Sequence, residues 1–271
     1  MSKQVLLIND MAGYGKVALS AMIPVLSYMG VNIHNLPTAL VSNTLDYGKF
    51  DILDTTEYMK NAIGIWKELG FSFDAISTGF IVNSEQAELV TEYCKKQAEK
   101  GVCIMCDPIM GDDGNLYPGM GEETVENMKK LISCADYIIP NYTEAALLTG
   151  CEYKEEPSQD EVKTIIDELR AAGAGSVAIT SVRVDGVDQI SCYDKKTDEY
   201  FSVPYEQIPV RFPGTGDIFS SVMLGSILNG SSMEAGVTQA ARVVREMIVK
   251  SLDNEDKLKG IEIESCLEAI N

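Results

Sequence analysis

Short runs of apolar, β-prone residues alternate along the chain with longer stretches in which apolar positions return every three to four residues. That rhythm predicts βα units around a mainly parallel sheet, an α/β fold. Strands are predicted at 5–8, 31–36, 75–77, 102–106, 137–139 and 176–180. Helical patterns between them cover 18–29, with Pro24 as a candidate kink, then 55–69, 84–100, 122–133, 143–148 and 159–172. After 180 the rhythm changes, and runs at 189–193 and 200–203 flank a polar stretch, which predicts an antiparallel hairpin. Two more helices are predicted, at 217–228, stopped by Asn229 and Gly230, and at 232–251, with Arg242, Arg245 and Lys250 on a solvated face.

The 271 residues, 45% hydrophobic, suffice for one large core, and no Pro-, Gly- or Ser-rich linker interrupts them. A single domain over 1–271 is the simpler expectation. The net charge of −19 argues against nonspecific binding to nucleic acid or to an anionic membrane. An anionic substrate would have to be drawn in locally, by helix N-termini, a few cations and bound metal. The apolar run 5–8 is far too short for a leader segment or a membrane span, so a cytoplasmic protein is expected. Seven scattered cysteines fit reduced thiols, and Cys103 and Cys106 would point to opposite faces of a strand. The one histidine, His34, reads as structural, and no G-x-S-x-G sequence is present.

The chemistry concentrates elsewhere. Gly214, Thr215, Gly216 and Asp217 open the apolar run that follows, so a helix start with unpaired N–H groups lies beside an acid. In an open parallel sheet ligands bind beyond the carboxyl ends of the strands, and Asp10, Asp107, Asn141 and Thr180 are predicted at such places. Gly13, Gly15 and Ala18 fit a loose dinucleotide fingerprint, but 31–40 contains no acid to hold a ribose. A Walker loop fails at Asp10 and Val17. Asp107 and Asp112 could serve magnesium directly or through water. Glu144 could bind metal-associated water, and Asn141 with Glu144 could equally form a helix capping box.

In order and approximate spacing, the segments 107–112, 141–144, 179–181 and 214–219 resemble the ribokinase superfamily and, within it, the pyridoxal kinase branch. The resemblance implies a three-layer αβα sandwich with a mainly parallel central sheet, in which ATP meets a small alcohol. It implies that Asp217 is the base for a hydroxymethyl group and that Gly214, Thr215 and Gly216 form the anion hole. Asp107, Asp112 and Glu144 would serve Mg2+, while Asn141, Thr180, Ser181 and Thr215 would contact ATP. Asp10, Thr44, Phe80 and Tyr117 would surround the acceptor ring. A monovalent cation is a further candidate cofactor, and a homodimer is implied.

Three positions depart from that branch. Asn9-Asp10-Met11 stands where a serine-histidine pair is common and is closer to hydroxymethylpyrimidine kinases, whereas Asp217 stands where those kinases usually carry cysteine. Leu45 replaces a common threonine, and Ile139 replaces a polar residue before Pro140-Asn141. The leading expectation is phosphorylation of the 5-hydroxymethyl group of pyridoxal, pyridoxine or pyridoxamine in vitamin B6 salvage. The alternatives are a hydroxymethylpyrimidine (phosphate) kinase of thiamine synthesis and a catalytically silent vitamin or nucleotide carrier.

Overall fold

The computed structural model describes residues 2–271. The chain divides into two compact units, Met1–Ala75 with Glu206–Asn271, and Ile76–Tyr205. The first unit begins with β1 (Gln4–Ala12), α1 (Ala18–Tyr28), β2 (Asn32–Val41), β3 (Ile52–Asp54) and α2 (Thr56–Leu69). Val5, Leu6, Leu7 and Ile8 are all fully buried. A strand covered on both faces reads as a continuous apolar run rather than an alternation. β1 and β2 pair in parallel from Gln4↔Asn32 to Ala12↔Val41, and β3 runs antiparallel along β2.

The second unit contains β4 (Ala75–Thr78), α3 (Ser84–Ala98), β5 (Cys103–Cys106), β6 (Gly111–Asp112), β7 (Asn115–Leu116) and α4 (Glu122–Ile132). It continues with β8 (Tyr137–Ile138), α5 (Tyr142–Thr149), α6 (Gln159–Ala171), β9 (Ser176–Val184), β10 (Val187–Asp194) and β11 (Glu199–Pro204). Its strands follow the order β11-β10-β9-β8-β5-β4. β5, β8 and β9 pair in parallel, whereas β10 and β11 complete the antiparallel hairpin. The helices start as their sequences dictate: Asn83 caps α3, and Ser158 with Glu161 forms a capping box on α6.

The chain then returns to the first unit as α7 (Thr215–Leu228), α8 (Met233–Lys250) and α9 (Ile263–Cys266). Every residue of α7 from Asp217 to Ser226 is buried, so this helix is enclosed around its circumference, and α1 and α8 pack against it. The architecture is an α/β fold with a large, mostly parallel sheet flanked by helices.

The elements fall where the rhythm predicts them, with instructive extensions. β1 continues past residue 8 to Ala12, so Asp10 lies inside the strand rather than beyond its end. Between Asn9↔Pro37 and Met11↔Leu40 the pairing takes two steps along β1 and three along β2, a bulge of β2 that sets Thr38 and Ala39 opposite Asp10. β9 likewise runs on to Val184, which puts Thr180 and Ser181 within the strand at a second shift of register. Backbone pairing is indifferent to side-chain polarity, whereas a pattern of apolar residues stops at the first polar one. The short strands β3, β6 and β7 and the terminal helix α9 carry too few residues to show a period. No described helix is long and apolar enough to cross a membrane.

Leu7→Ala should cost about 2–5 kcal/mol, because β1 has no room to collapse around the lost volume. Leu69→Ala, at a position 61% exposed, should change stability by less than about 0.5 kcal/mol. Urea midpoints for the two variants check the contrast.

Candidate active site

In the first unit, Gly214 occupies the N-cap of α7 with φ 86° and provides no side-chain cap. A Cβ there would fall 2.2 Å from the Lys16 carbonyl oxygen, so both conformation and space call for glycine. The first hydrogen bond of the helix runs from the Ile218 N–H to the Gly214 carbonyl. The N–H groups of Thr215, Gly216 and Asp217 precede it at the positive end of the dipole, and a Cβ on Gly216 would meet open space. This is the geometry of an anion cradle.

Asp217 stands one turn into that helix and is buried. Its Oδ2 accepts from the Ala18 N–H at 2.7 Å, and its Oδ1 accepts from Asn9 Nδ2 at 3.4 Å. Burial pushes the carboxyl up to about 6, while these two donors hold it down. Asp10, half-buried on β1, is pushed up to about 7, first by burial and then by the charge of Asp217. Its own backbone N–H donates to Asn9 Oδ1 at 3.0 Å. Thr44 is buried, and its hydroxyl donates to the Leu258 carbonyl at 2.6 Å, tying the 44–48 turn to the 254–260 segment of the same unit.

In the second unit, Asn141 caps α5 and Glu144 closes the box. The Asn141 side chain accepts from the Glu144 N–H at 2.9 Å and donates to the Gly111 carbonyl at 2.7 Å. Glu144 Oε2 accepts from the Asn141 N–H at 2.8 Å and Oε1 from the Met110 N–H at 3.0 Å. Burial pushes the Glu144 carboxyl up to about 8, against three backbone donors, Asn141, Met110 and Gly111. Asp112 adds to the upward push from β6. Asp107 follows β5, its N–H bonded to the Thr78 carbonyl at 2.9 Å. Thr180 donates its N–H to Pro140 at 2.9 Å and bridges Asn141, and the exposed Ser181 beside it sits at φ 58°. Phe80, after β4, and Tyr117, after β7, are both half-buried.

The capping-box alternative for Asn141 and Glu144 is therefore realised. Among the described residues, no set of three or more His, Cys, Asp or Glu side chains is arranged to cage a metal ion. Magnesium keeps several waters and leans on phosphate oxygens, so one or two carboxylates suffice. Asp107 and Asp112, half-buried around one short turn, fit that demand. Both Glu144 oxygens already serve backbone donors, which suits a contact through water.

Pattern reading missed two residues. Asn9 entered only as part of Asn9-Asp10-Met11, with no role of its own, and Ala18, the first residue of α1, at φ 49°, carries strain that no sequence motif announces. His34 bonds Gln4 at 2.9 Å and packs on Phe73, away from all these groups.

This is the architecture of the ribokinase-like kinases, with an acid and an uncapped glycine turn at the start of a buried helix. A family model for phosphomethylpyrimidine kinase matches residues 12–261, and the chain belongs to that family. It is 27% identical over 245 residues to the pyridoxal kinase of Arabidopsis thaliana, covering 87% of this chain and 77% of that one. A protein from Bacteroides thetaiotaomicron, assigned as a phosphomethylpyrimidine kinase and crystallised with pyridoxal, superposes with a TM-score of 0.95 at 34% identity, covering 100% of this chain and 96% of that one. The pyridoxal kinase of Lactobacillus plantarum gives 0.89 at 27% identity, covering 99% and 96%.

A carboxyl raised by folding binds its proton more tightly in the folded than in the unfolded state, so stability falls as pH rises between the two values. Asp10 moves from 3.8 to about 7. Asp10→Asn should therefore melt higher than the parent at pH 8, with the gap closing as pH falls to about 4. Paired thermal melts across that range check it.

Proposed function

We propose that the chain is an ATP-dependent kinase transferring the γ-phosphoryl group to the 5-hydroxymethyl group of pyridoxal, pyridoxine or pyridoxamine. The observation that carries the reading is Asp217, a buried acid held near neutrality beside the uncapped, glycine-flanked start of α7. The kinship with pyridoxal kinases supports the acceptor class. The family match over 12–261 supports reading 1–271 as one kinase domain.

Asp217 takes the hydroxymethyl proton as the oxygen attacks the γ-phosphorus and ADP departs, a general-base contribution worth roughly 10²–10⁴-fold. The N–H groups of Thr215 and Gly216 hold the charge that develops on the transferred group. Asp107 and Asp112 would hold Mg2+, with Glu144 reaching it through water. When bound, that ion neutralises phosphate charge and screens the leaving group. Asn141, Thr180 and Ser181 contact the nucleotide. Phe80 and Tyr117 stack on the ring, and Asp10 with Thr44 reads its polar edge. The same reading takes in a homodimer, a monovalent cation as an additional cofactor, and a cytoplasmic role in vitamin B6 salvage.

Asp10 and the family match favour a second acceptor, hydroxymethylpyrimidine. ATP consumption measured against B6 vitamers, hydroxymethylpyrimidine and ribose, with product masses, separates the two; turnover of the pyrimidine alone would overturn the first. Tight binding without turnover of any acceptor would mean a carrier. Chelation of divalent cation should abolish turnover. Asp217→Asn should lower kcat by roughly 10²–10⁴-fold with little change in melting temperature; an unchanged kcat would exclude Asp217 as the base.

A further inference from the structure

The Asn9 side chain touches both the Asp217 carboxylate and the backbone at Asp10, and its Nδ2 also lies 3.6 Å from Met22 Sδ. Its orientation is not arbitrary. The Asp10 N–H can only donate, so Oδ1 of Asn9 must face it, at 3.0 Å, and Nδ2 is thereby turned toward Asp217 Oδ1. The opposite oxygen receives the Ala18 N–H at 2.7 Å, from a backbone held at φ 49°. Each carboxylate oxygen thus carries one fixed donor, in a site where Asn9 is 2% exposed and Asp217 8%.

We infer that Asn9 is a positioning residue for phosphoryl transfer: with the strained Ala18 amide it clamps the Asp217 carboxylate in one orientation and keeps it ionised as the acceptor alcohol arrives. The inference rests on the kinase reading above. A carboxylate out of water but bonded to two N–H groups remains a base near neutral pH, and each donor removed leaves it more easily protonated. Strain at Ala18 is the cost of aiming its N–H outward from the helix start.

The surroundings leave few other charges to tune this acid. On β1 the one titratable side chain is Asp10, whose own carboxyl is raised by burial and by the charge of Asp217. α1 carries a single titratable side chain, Tyr28, at its far end. The charged groups of α8, Glu234, Arg242, Arg245, Glu246 and Lys250, lie on its solvated side. Lys16, before α1, is paired with Glu264 on α9.

The test is the pH dependence of kcat for pyridoxal with saturating ATP and magnesium, in the parent, Asn9→Leu and the isosteric Asn9→Asp. Asn9→Leu should move the acid limb up by roughly one pH unit, a tenfold loss on that limb, with activity recovering at alkaline pH. Asn9→Asp should move it further, since an oxygen replaces the donor facing Asp217. KM for ATP should stay unchanged, and melts over the same pH range report folding. If Asn9→Leu does not fold, Asn9→Asp alone carries the test. An acid limb that stays in place while kcat drops equally at every pH would overturn the inference. Asp217→Asn is measured alongside: retained turnover there would sink the base assignment itself, whereas lost turnover with unmoved Asn9 limbs would sink only the clamp.

Discussion

A carboxylate taken out of water at the start of a helix must be met by donors or give up its charge, and much of the first unit is arranged to meet Asp217. The acid lies on a helix that is buried around its whole circumference. The glycine turn before it leaves the first N–H groups uncapped, β1 brings Asn9, and α1 begins with a strained residue so that one amide can reach Oδ2. None of these features is what stability alone would select. A capped helix start and a relaxed Ala18 would each make an easier fold.

Glu144 shows the other way of keeping an acid out of water. It too is buried, yet its donors are all backbone N–H groups, and its carboxylate is used up in closing α5 and holding the 110–111 turn. Asp217 has two donors and room beside it, while Glu144 is enclosed by its own clasp. Two acids raised by the same cause, burial, are therefore held in different ways, one beside an uncapped helix start and the other closed into a charged turn.

The order of strands and helices was legible because buried strands and amphipathic helices differ in period, and the glycine turn before Asp217 was legible because a turn, an acid and an apolar run are adjacent in sequence. The capping box at Asn141 and Glu144 was visible as one of two alternatives for the same reason. What escaped was whatever depends on partners far along the chain. Asn9 and Asp217 are more than two hundred residues apart, and the β2 bulge opposite Asp10 exists only in the register between two strands. Ser181 and Ala18 are ordinary residues in unusual conformations, which composition cannot express.

The Glu144 clasp also binds two kinds of position into one heritable block. A single carboxylate closes the start of α5 and fixes the turn that carries Asp107 and Asp112. A lineage cannot exchange it for a neutral residue without reshaping the turn, nor redraw the turn without freeing a buried acid. Drift in the helix and drift in the charged loop are thereby coupled, and a descendant that altered either would have to change both together.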